Sequence, residues 1–384
     1  MKLLIHDLDK EEWDKVCEKY NGWKIISNNG KIKPCVGCFG CWTKNPGECV
    51  VKDGYENVSA LMHNAEEITV ISRYTYGGFS SSVKNIFDKS VGGVLPFFEV
   101  FEGEMHHKKR YPTIIPVTFI FRGNHLTAED KAKAERYVRA VCRNMRSEMK
   151  EILFEEYEEQ EDESGLKYEG KENSAANPIL LNCSLRGERA NSERFLDCLA
   201  GEVGGDVERL RLVDYMNRPD ELIELLLSAE KIVLGMPLYI DGIPSAMLRI
   251  MEKIEKCRCN RKIKVYSVIN MGLYESKQIC NILSMVKLWC EKCGFVYSGG
   301  LAIGGGEMIS RIMKAGKAEK SPARNAVLGL VKLAEVIRSS EQVEDIYADP
   351  FRFPRFIYIL ISNSLWPRGA AKNGIRKKDL YLRR

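Results

Sequence analysis

The chain has 384 residues, 45% hydrophobic and 29% charged, the make-up of a globular protein with enough chain for two cores plus appendages. No apolar stretch reaches the roughly eighteen residues of a membrane span, and the opening MKLLIHDLDKEEWDKV turns charged too early for a secretory signal. Thirteen cysteines, an odd number, without such a signal point to a reducing cytoplasm rather than a disulfide framework. The net charge of +5 is unevenly placed: residues 351–384 hold nine Lys or Arg against Asp379, and residues 151–172 hold ten acids against Lys167 and Lys171. Basicity confined to a tail excludes a nucleic-acid reading drawn from net charge.

In chain order, KLLIHDL and WKIISNN read as strands around a helix at 10–20. The segment KPCVGCFGCWTKNPGECVVKDG follows, with Cys35, Cys38, Cys41 and Cys49 spaced C-x2-C-x2-C-x7-C. Two-residue gaps let thiolates converge on one centre, and Gly37, Gly40 and Gly47 let the backbone curl around it. The spacing suits an iron–sulfur cluster, a zinc ion, or a cysteine-rich turn without metal. Helices at 55–65, 80–91 and 127–149 alternate with strands EITVIS and TIIPVTFIF. Between them GEMHHKKRYP, with His106 and His107, reads as a solvated hairpin or loop. An acidic stretch, 155–177, reads as a linker.

The second half repeats the rhythm. PILLNCS, VERLRLV, KIVLGMP, KIKVYSVIN and FVYSGGLAI are predicted strands, with helices at 190–202, 219–229, 244–256 and 276–292, then 322–340. AEEITVISRYTYGGFSSSVKNIFDK (65–89) lies over AEKIVLGMPLYIDGIPSAMLRIMEK (229–253) without gaps, identical at seven of twenty-five positions. Each reads as one strand–loop–helix step of a parallel sheet. The predicted fold is therefore α/β: two tandem flavodoxin-like doubly wound parallel-sheet domains with a basic C-terminal tail. The expected boundaries are 1–154, linker 155–177, 178–340 and an arm at 341–384.

Ligands of such sheets bind beyond the carboxyl ends of the strands, at the switch point. In the second half the first such loop offers Ser184, Arg186, Gly187, Asn191 and Ser192 at a helix start, where an anion is favoured; an ordinary cap by Asn191 or Ser192 is the plainer reading. The next loop, Pro237, Leu238, Tyr239, Ile240, Asp241 and Gly242, makes an apolar wall for a flat ring. The third brings Asn270, Gly272 and Tyr274. Together they suit flavin mononucleotide (FMN). Gly304–Gly306 reads as a flexible loop, Cys257 and Cys259 as part of a helix-ending basic turn, and Cys290 and Cys293 as thiols buried against the sheet.

CVGCFGCWTKNPGECVVKD, RYTYGGFSSSVKNIFDK and MPLYIDGIPSAMLRIMEK resemble the flavodoxin-like NADPH-dependent FMN reductase superfamily, above all its iron–sulfur flavoprotein branch. The resemblance implies bound FMN and electrons taken from NAD(P)H or a reduced carrier. It also implies a [4Fe–4S] cluster on Cys35, Cys38, Cys41 and Cys49, and a small-molecule or protein acceptor. The chain departs from that pattern in each half. The first half lacks a phosphate loop, Asp7, Asp9, Glu11 and Glu12 standing there instead, while the second lacks the cysteines. A division of labour follows as an expectation: one half holds flavin and the other supplies sulfur. An electron carrier without nicotinamide binding and a non-catalytic scaffold are the alternatives. The tail, with its apolar run Phe356–Trp366, is expected to dock on the protein's own surface, for example on the acidic linker. Peripheral membrane contact and homo-oligomerisation are further expectations.

Overall fold

The computed structural model describes residues 1–27, 30–157, 177–257, 259, 261–313 and 320–383. Most of the predicted linker falls outside them. The chain divides into two compact units, Met1–Glu161 with Phe356–Arg384, and Asp162–Arg355.

The first unit contains β1 (Lys2–His6), α1 (Lys10–Val16), β2 (Lys24–Ser27), α2 (Gly40–Thr43), α3 (Val58–His63), β3 (Glu67–Thr75), β4 (Gly78–Phe79) and α4 (Ser81–Lys89). They are followed by β5 (Val94–Phe101), β6 (Glu104–Lys109), β7 (Pro116–Gly123), α5 (Ala128–Met145) and β8 (Glu148–Glu156). Its parallel sheet runs β2-β1-β3-β7-β8. Taken in order of sheet strands this is 2-1-3-4-5, the flavodoxin-like order, with its switch point between the first and third strands. Leu3, Leu4 and Ile5 of β1 are wholly buried, as a strand covered on both faces requires.

The second unit contains β9 (Ile179–Asn182), α6 (Asn191–Val203), β10 (Glu208–Arg211), α7 (Pro219–Ser228), β11 (Lys231–Pro237), α8 (Ser245–Glu255) and β12 (Lys264–Asn270). Then come α9 (Cys280–Cys293), β13 (Val296–Ile303), α10 (Gly306–Met313), α11 (Arg324–Ser339) and β14 (Ile346–Ala348). Its sheet, β10-β9-β11-β12-β13-β14, has the same order with β14 added at one edge, parallel to β13. The fold is thus two flavodoxin-like parallel sheets in tandem.

The repeat seen in sequence extends to backbone dihedrals. Tyr76 and Gly77 take φ of 50° and 88°, and Ile240 and Asp241, 164 positions on, take 40° and 58°. Each pair forms the tip of a tight turn closed by Thr75↔Gly78 in one unit and Tyr239↔Gly242 in the other. Two successive left-handed residues define the turn that joins antiparallel segments without splaying them.

Three sequence expectations change, and a fourth, the docking of the tail on the protein's own surface, is met. Glu148–Glu156 is a strand where a helix end and a linker were expected; its charged pattern is that of a sheet edge. GEMHHKKRYP belongs to the β5–β6 hairpin, as expected, with Lys108 and Lys109 exposed, but its histidines are not solvated: His106 is 1% exposed and its Nδ1 lies 2.7 Å from Asn144 Oδ1. His107 Nδ1 lies 2.8 Å from the Leu95 carbonyl, and its ring packs on Trp42 and Phe98. The sequence reading gave neither histidine a partner because both partners are distant in the chain.

Gly304–Gly306 is a packed corner leading into α10, not a flexible loop. A Cβ on Gly304 would stand 2.0 Å from the Tyr274 carbonyl oxygen, so only glycine allows that approach. Finally, Arg355–Ala371 forms a helix, α12, and Phe356–Arg384 groups with the first unit. The side chain of Asn363 both donates to the Phe98 carbonyl at 3.0 Å and accepts from the Phe98 N–H at 2.7 Å. Arg110 donates to the carbonyls of Leu380 and Leu382. The tail therefore docks on the protein's own surface, at the hairpin.

Candidate functional site

At the carboxyl edge of the second sheet, the loop after β9 closes on itself. Gly187, at φ +57°, turns the chain, and the Ser184 hydroxyl accepts from the Arg186 N–H at 3.3 Å. Asn182, at the end of β9, braces the loop from beneath, donating to the Gly187 carbonyl and to Glu193 at 3.1 and 2.6 Å. The helix that follows, α6, begins after Ala190 with no side-chain cap. Neither Asn191 nor Ser192 caps it, which removes the plainer reading of this loop. Its first N–H groups and its dipole lie directly beyond the switch-point strand β9.

Asn191 and Ser192 instead tie the loops together. Asn270, ending β12, donates to the Ser192 hydroxyl at 3.0 Å and to the Met236 carbonyl at 3.2 Å. Asn191 donates to Glu307 Oε2 at 2.7 Å and accepts from Ser310 at 2.9 Å, both on α10. Burial pushes the Glu307 carboxyl up, but the Asn191 amide and the Arg311 and Arg186 charges outweigh it and hold it below the usual range. Glu307 and Ser310 were missed in sequence. Their only signal is their place just behind the glycine corner.

The second loop presents Pro237, Leu238, Tyr239 and Ile240 half-buried, while Asp241 and Gly242 are buried. The Leu238 N–H donates to the Asn270 carbonyl at 2.9 Å, which fixes this loop to the third. Gly272 is exposed, and the Tyr274 hydroxyl donates to the Phe353 carbonyl at 2.6 Å. Tyr274 thereby anchors the segment after β14 instead of standing free as a rim. The remaining predicted residues gather at one edge.

The corresponding edge of the first unit is filled by its own side chains. The Arg73 N–H donates to both Asp7 oxygens, at 3.2 and 3.0 Å. Burial pushes the Asp7 carboxyl up, against hydrogen bonds from Ser80 and the Arg73 N–H and the charges of Arg73 and Arg122. Helix α1 carries a complete capping box, Asp9 accepting from the Glu12 N–H and Glu12 accepting from the Asp9 N–H. In the aromatic loop, the Tyr74 hydroxyl donates to Asp130, and Tyr76 is 1% exposed. Phe79 packs among Phe87, Phe119, Phe121 and Tyr137.

The cysteine segment of the first unit surrounds α2. Cys41 is buried, Cys35 and Cys49 are half-buried and Cys38 is exposed. Burial pushes the Cys35 thiol up to about 12, with Asp88, Cys49 and Cys38 adding to the rise against a Gly37 N–H bond. Burial also raises Cys41, reinforced by Cys35, Cys49 and Cys38. All four thiols thus sense one another. Three of them accept from the backbone N–H two residues on: Cys35 from Gly37, Cys38 from Gly40 at 3.4 Å, and Cys49 from Val51 at 3.5 Å.

Among the described residues no three His, Cys, Asp or Glu side chains are drawn together around a single metal ion. A zinc ion with ligands at about 2.3 Å needs its thiolates only about 3.8 Å apart. Among the described residues no cysteine is joined in a disulfide. Cys290 is fully buried, as expected, whereas Cys257, Cys259 and Cys293 are half-exposed. Cys293 is raised by burial, with Glu255, Cys257 and Cys259 adding to it.

Behind the thiols, α4 presents buried charge. Lys89 pairs with Asp53 at 2.5 Å and Lys84 pairs with Asp88, all four side chains being at most 1% exposed.

No family model matches the chain, and no curated protein matches it. Among solved structures, it is similar to azoreductase AzrA at TM-score 0.31 and 14% identity, covering 43% of this chain and 100% of that one. The azoreductase from Bacillus anthracis str. Sterne gives 0.30 and 14%, covering 43% and 99%. The Trp repressor binding protein from Bacillus subtilis gives 0.26 and 15%, covering 33% and 81%. The fold assignment rests on the strand order of the two sheets.

Proposed function

We propose that the second unit holds FMN and that the protein is a flavin-dependent NAD(P)H oxidoreductase. The observation that carries this reading is the uncapped start of α6, beyond β9 at the switch point, beneath a loop bearing Ser184, Arg186 and Gly187. An anion satisfies such a helix end where no side chain does. Ser192 and Asn270, already bonded to each other, would steady the phosphate side. Pro237 to Gly242 would provide the shelf for the ring, held in place through Leu238 and Asn270. Bound flavin would supply hydride acceptance and one- or two-electron delivery; the chain's own part is binding and orientation.

The test is an FMN titration of the purified protein followed by flavin fluorescence. Arg186→Ala with Asn191→Ala should weaken FMN by about a hundredfold, each lost charge-assisted or buried polar contact contributing ~1–3 kcal/mol. Tyr76→Phe should leave the affinity unchanged. Wild-type protein that takes up no FMN defeats the reading.

The four thiols support a [4Fe–4S] cluster on Cys35, Cys38, Cys41 and Cys49 as the second part of the proposal. Backbone N–H groups already directed at the sulfurs are of the kind that tune such a cluster's potential. Iron and sulfide assays on anaerobically purified protein check it: Cys41→Ser should lower both together. Iron-free wild-type protein after reconstitution would refute it.

A further inference from the structure

We propose that the outer face of α12 docks this protein on an anionic lipid bilayer.

The helix is pinned by its inner face. Asn363 bonds both backbone groups of Phe98, Tyr358 is 3% exposed, and Ala370 is buried with Leu95, Phe97 and Leu380. Trp366 stands edge-on to Phe39 and Trp42, 5.6 and 5.2 Å between centroids. This register fixes what the other face shows. Phe356 and Leu360 are each 70% exposed, with Ile361 at 44% and Leu365 at 46%. At about 100° per residue they stand at 0°, 40°, 140° and 180°, two pairs that together occupy the outer half of the helix. Solvent-facing apolar side chains scattered singly are ordinary; four large ones on the outer half of a single helix mark an interaction surface.

Charge identifies the occupant. The row through Phe356 and Leu360 continues in steps of four through Ser364 to Arg368 and Lys372. Beyond them Arg376, Lys377, Lys378 and Arg383 are all exposed. No acid occurs from residue 351 to residue 378, and Asp379 is already paired with Arg376 at 2.9 Å. The apolar outer half therefore runs into a cationic patch whose own segment carries no unpaired acid among the described residues. A bilayer with anionic headgroups accepts both parts at once: the apolar side chains enter the acyl boundary while Arg and Lys stems reach the phosphates.

From Phe356 to Leu365 the apolar outer half spans about 14 Å at 1.5 Å per residue. No described helix is long and apolar enough to cross a membrane, so α12 would lie in the interface. A second copy is a poor occupant: a two-fold contact through this face would set two clusters of like charge against each other.

Co-sedimentation of the full chain with phosphatidylcholine vesicles, with and without phosphatidylserine, tests this. The protein should bind only the anionic vesicles and be released by salt. Phe356→Ser with Leu360→Ser should weaken binding about tenfold or more, as should Lys377→Gln with Lys378→Gln, with far-UV circular dichroism unchanged in both. Three results would overturn the proposal: no binding to anionic vesicles at low salt, binding indifferent to the serine substitutions, or a wild-type dimer in light scattering that those substitutions dissociate.

Discussion

Lys89 and Lys253 occupy the same place in the two copies, 164 residues apart, and one sequence step became two environments. Lys89 is fully buried and paired with Asp53, whose carboxyl is pushed up by burial but held low by Lys89 and the N–H groups of Lys33 and Tyr55. Lys253 is 44% exposed and paired with Asp220 at 3.1 Å. The difference follows from what each unit inserts after its second sheet strand. The first unit adds the cysteine segment, which covers α4 and takes Lys89 out of water; the second adds only a helix, and the Lys253 side of α8 stays exposed. The strand-end loops diverge in the same way. Asp7 and Asp9 fill the anion position of the first unit with carboxylates, whereas α6 begins unsatisfied. A duplicated fold thus keeps its turns and strand order while exchanging a ligand edge for an internally satisfied one.

The comparison can be broken most strongly by acid. All five histidines precede residue 126, so the first unit alone carries them. Burial lowers His6, His63 and His107 from 6.5 to about 4, opposed at His6 by Glu12, assisted at His63 by Arg110, and opposed at His107 by the Leu95 carbonyl. A base whose folded value is depressed binds its proton first when unfolded. Stability is therefore full above 6.5 and falls as pH drops from 6.5 towards 4, by up to ~2 kcal/mol per histidine at pH 5. Peptide-resolved hydrogen exchange at pH 7 and pH 5 should show protection lost in the first unit and retained in the second.

A smaller effect separates the two lysines. Lys89→Met leaves Asp53 buried without its partner and should cost about 3–5 kcal/mol. Lys253→Met removes an exposed pair and should cost under about 1 kcal/mol. Urea denaturation of each variant measures both, and equal costs would erase the contrast. Smallest is the cap: Asp9→Ala should cost about 1 kcal/mol in the same assay, by exposing the N–H groups of α1 that Asp9 satisfies.

Sequence alone determined the α/β class, the tandem repeat, the loops at the second sheet's edge and the cysteine segment. Those features are local: strand and helix periods, glycine at turns, and two-residue cysteine gaps are written in neighbouring residues. The aligned copies even implied matching turns, which the dihedrals of Tyr76–Gly77 and Ile240–Asp241 display. Only the tertiary structure decided that Glu307 holds Asn191 across 116 residues, that Tyr274 serves as an anchor, that His106 is buried and His107 packs on Trp42 and Phe98, and that β8 is a strand despite its acids. Burial and partnership arise between segments far apart in the chain. Whether a lysine or a histidine meets water or a partner is set by what else folds over it.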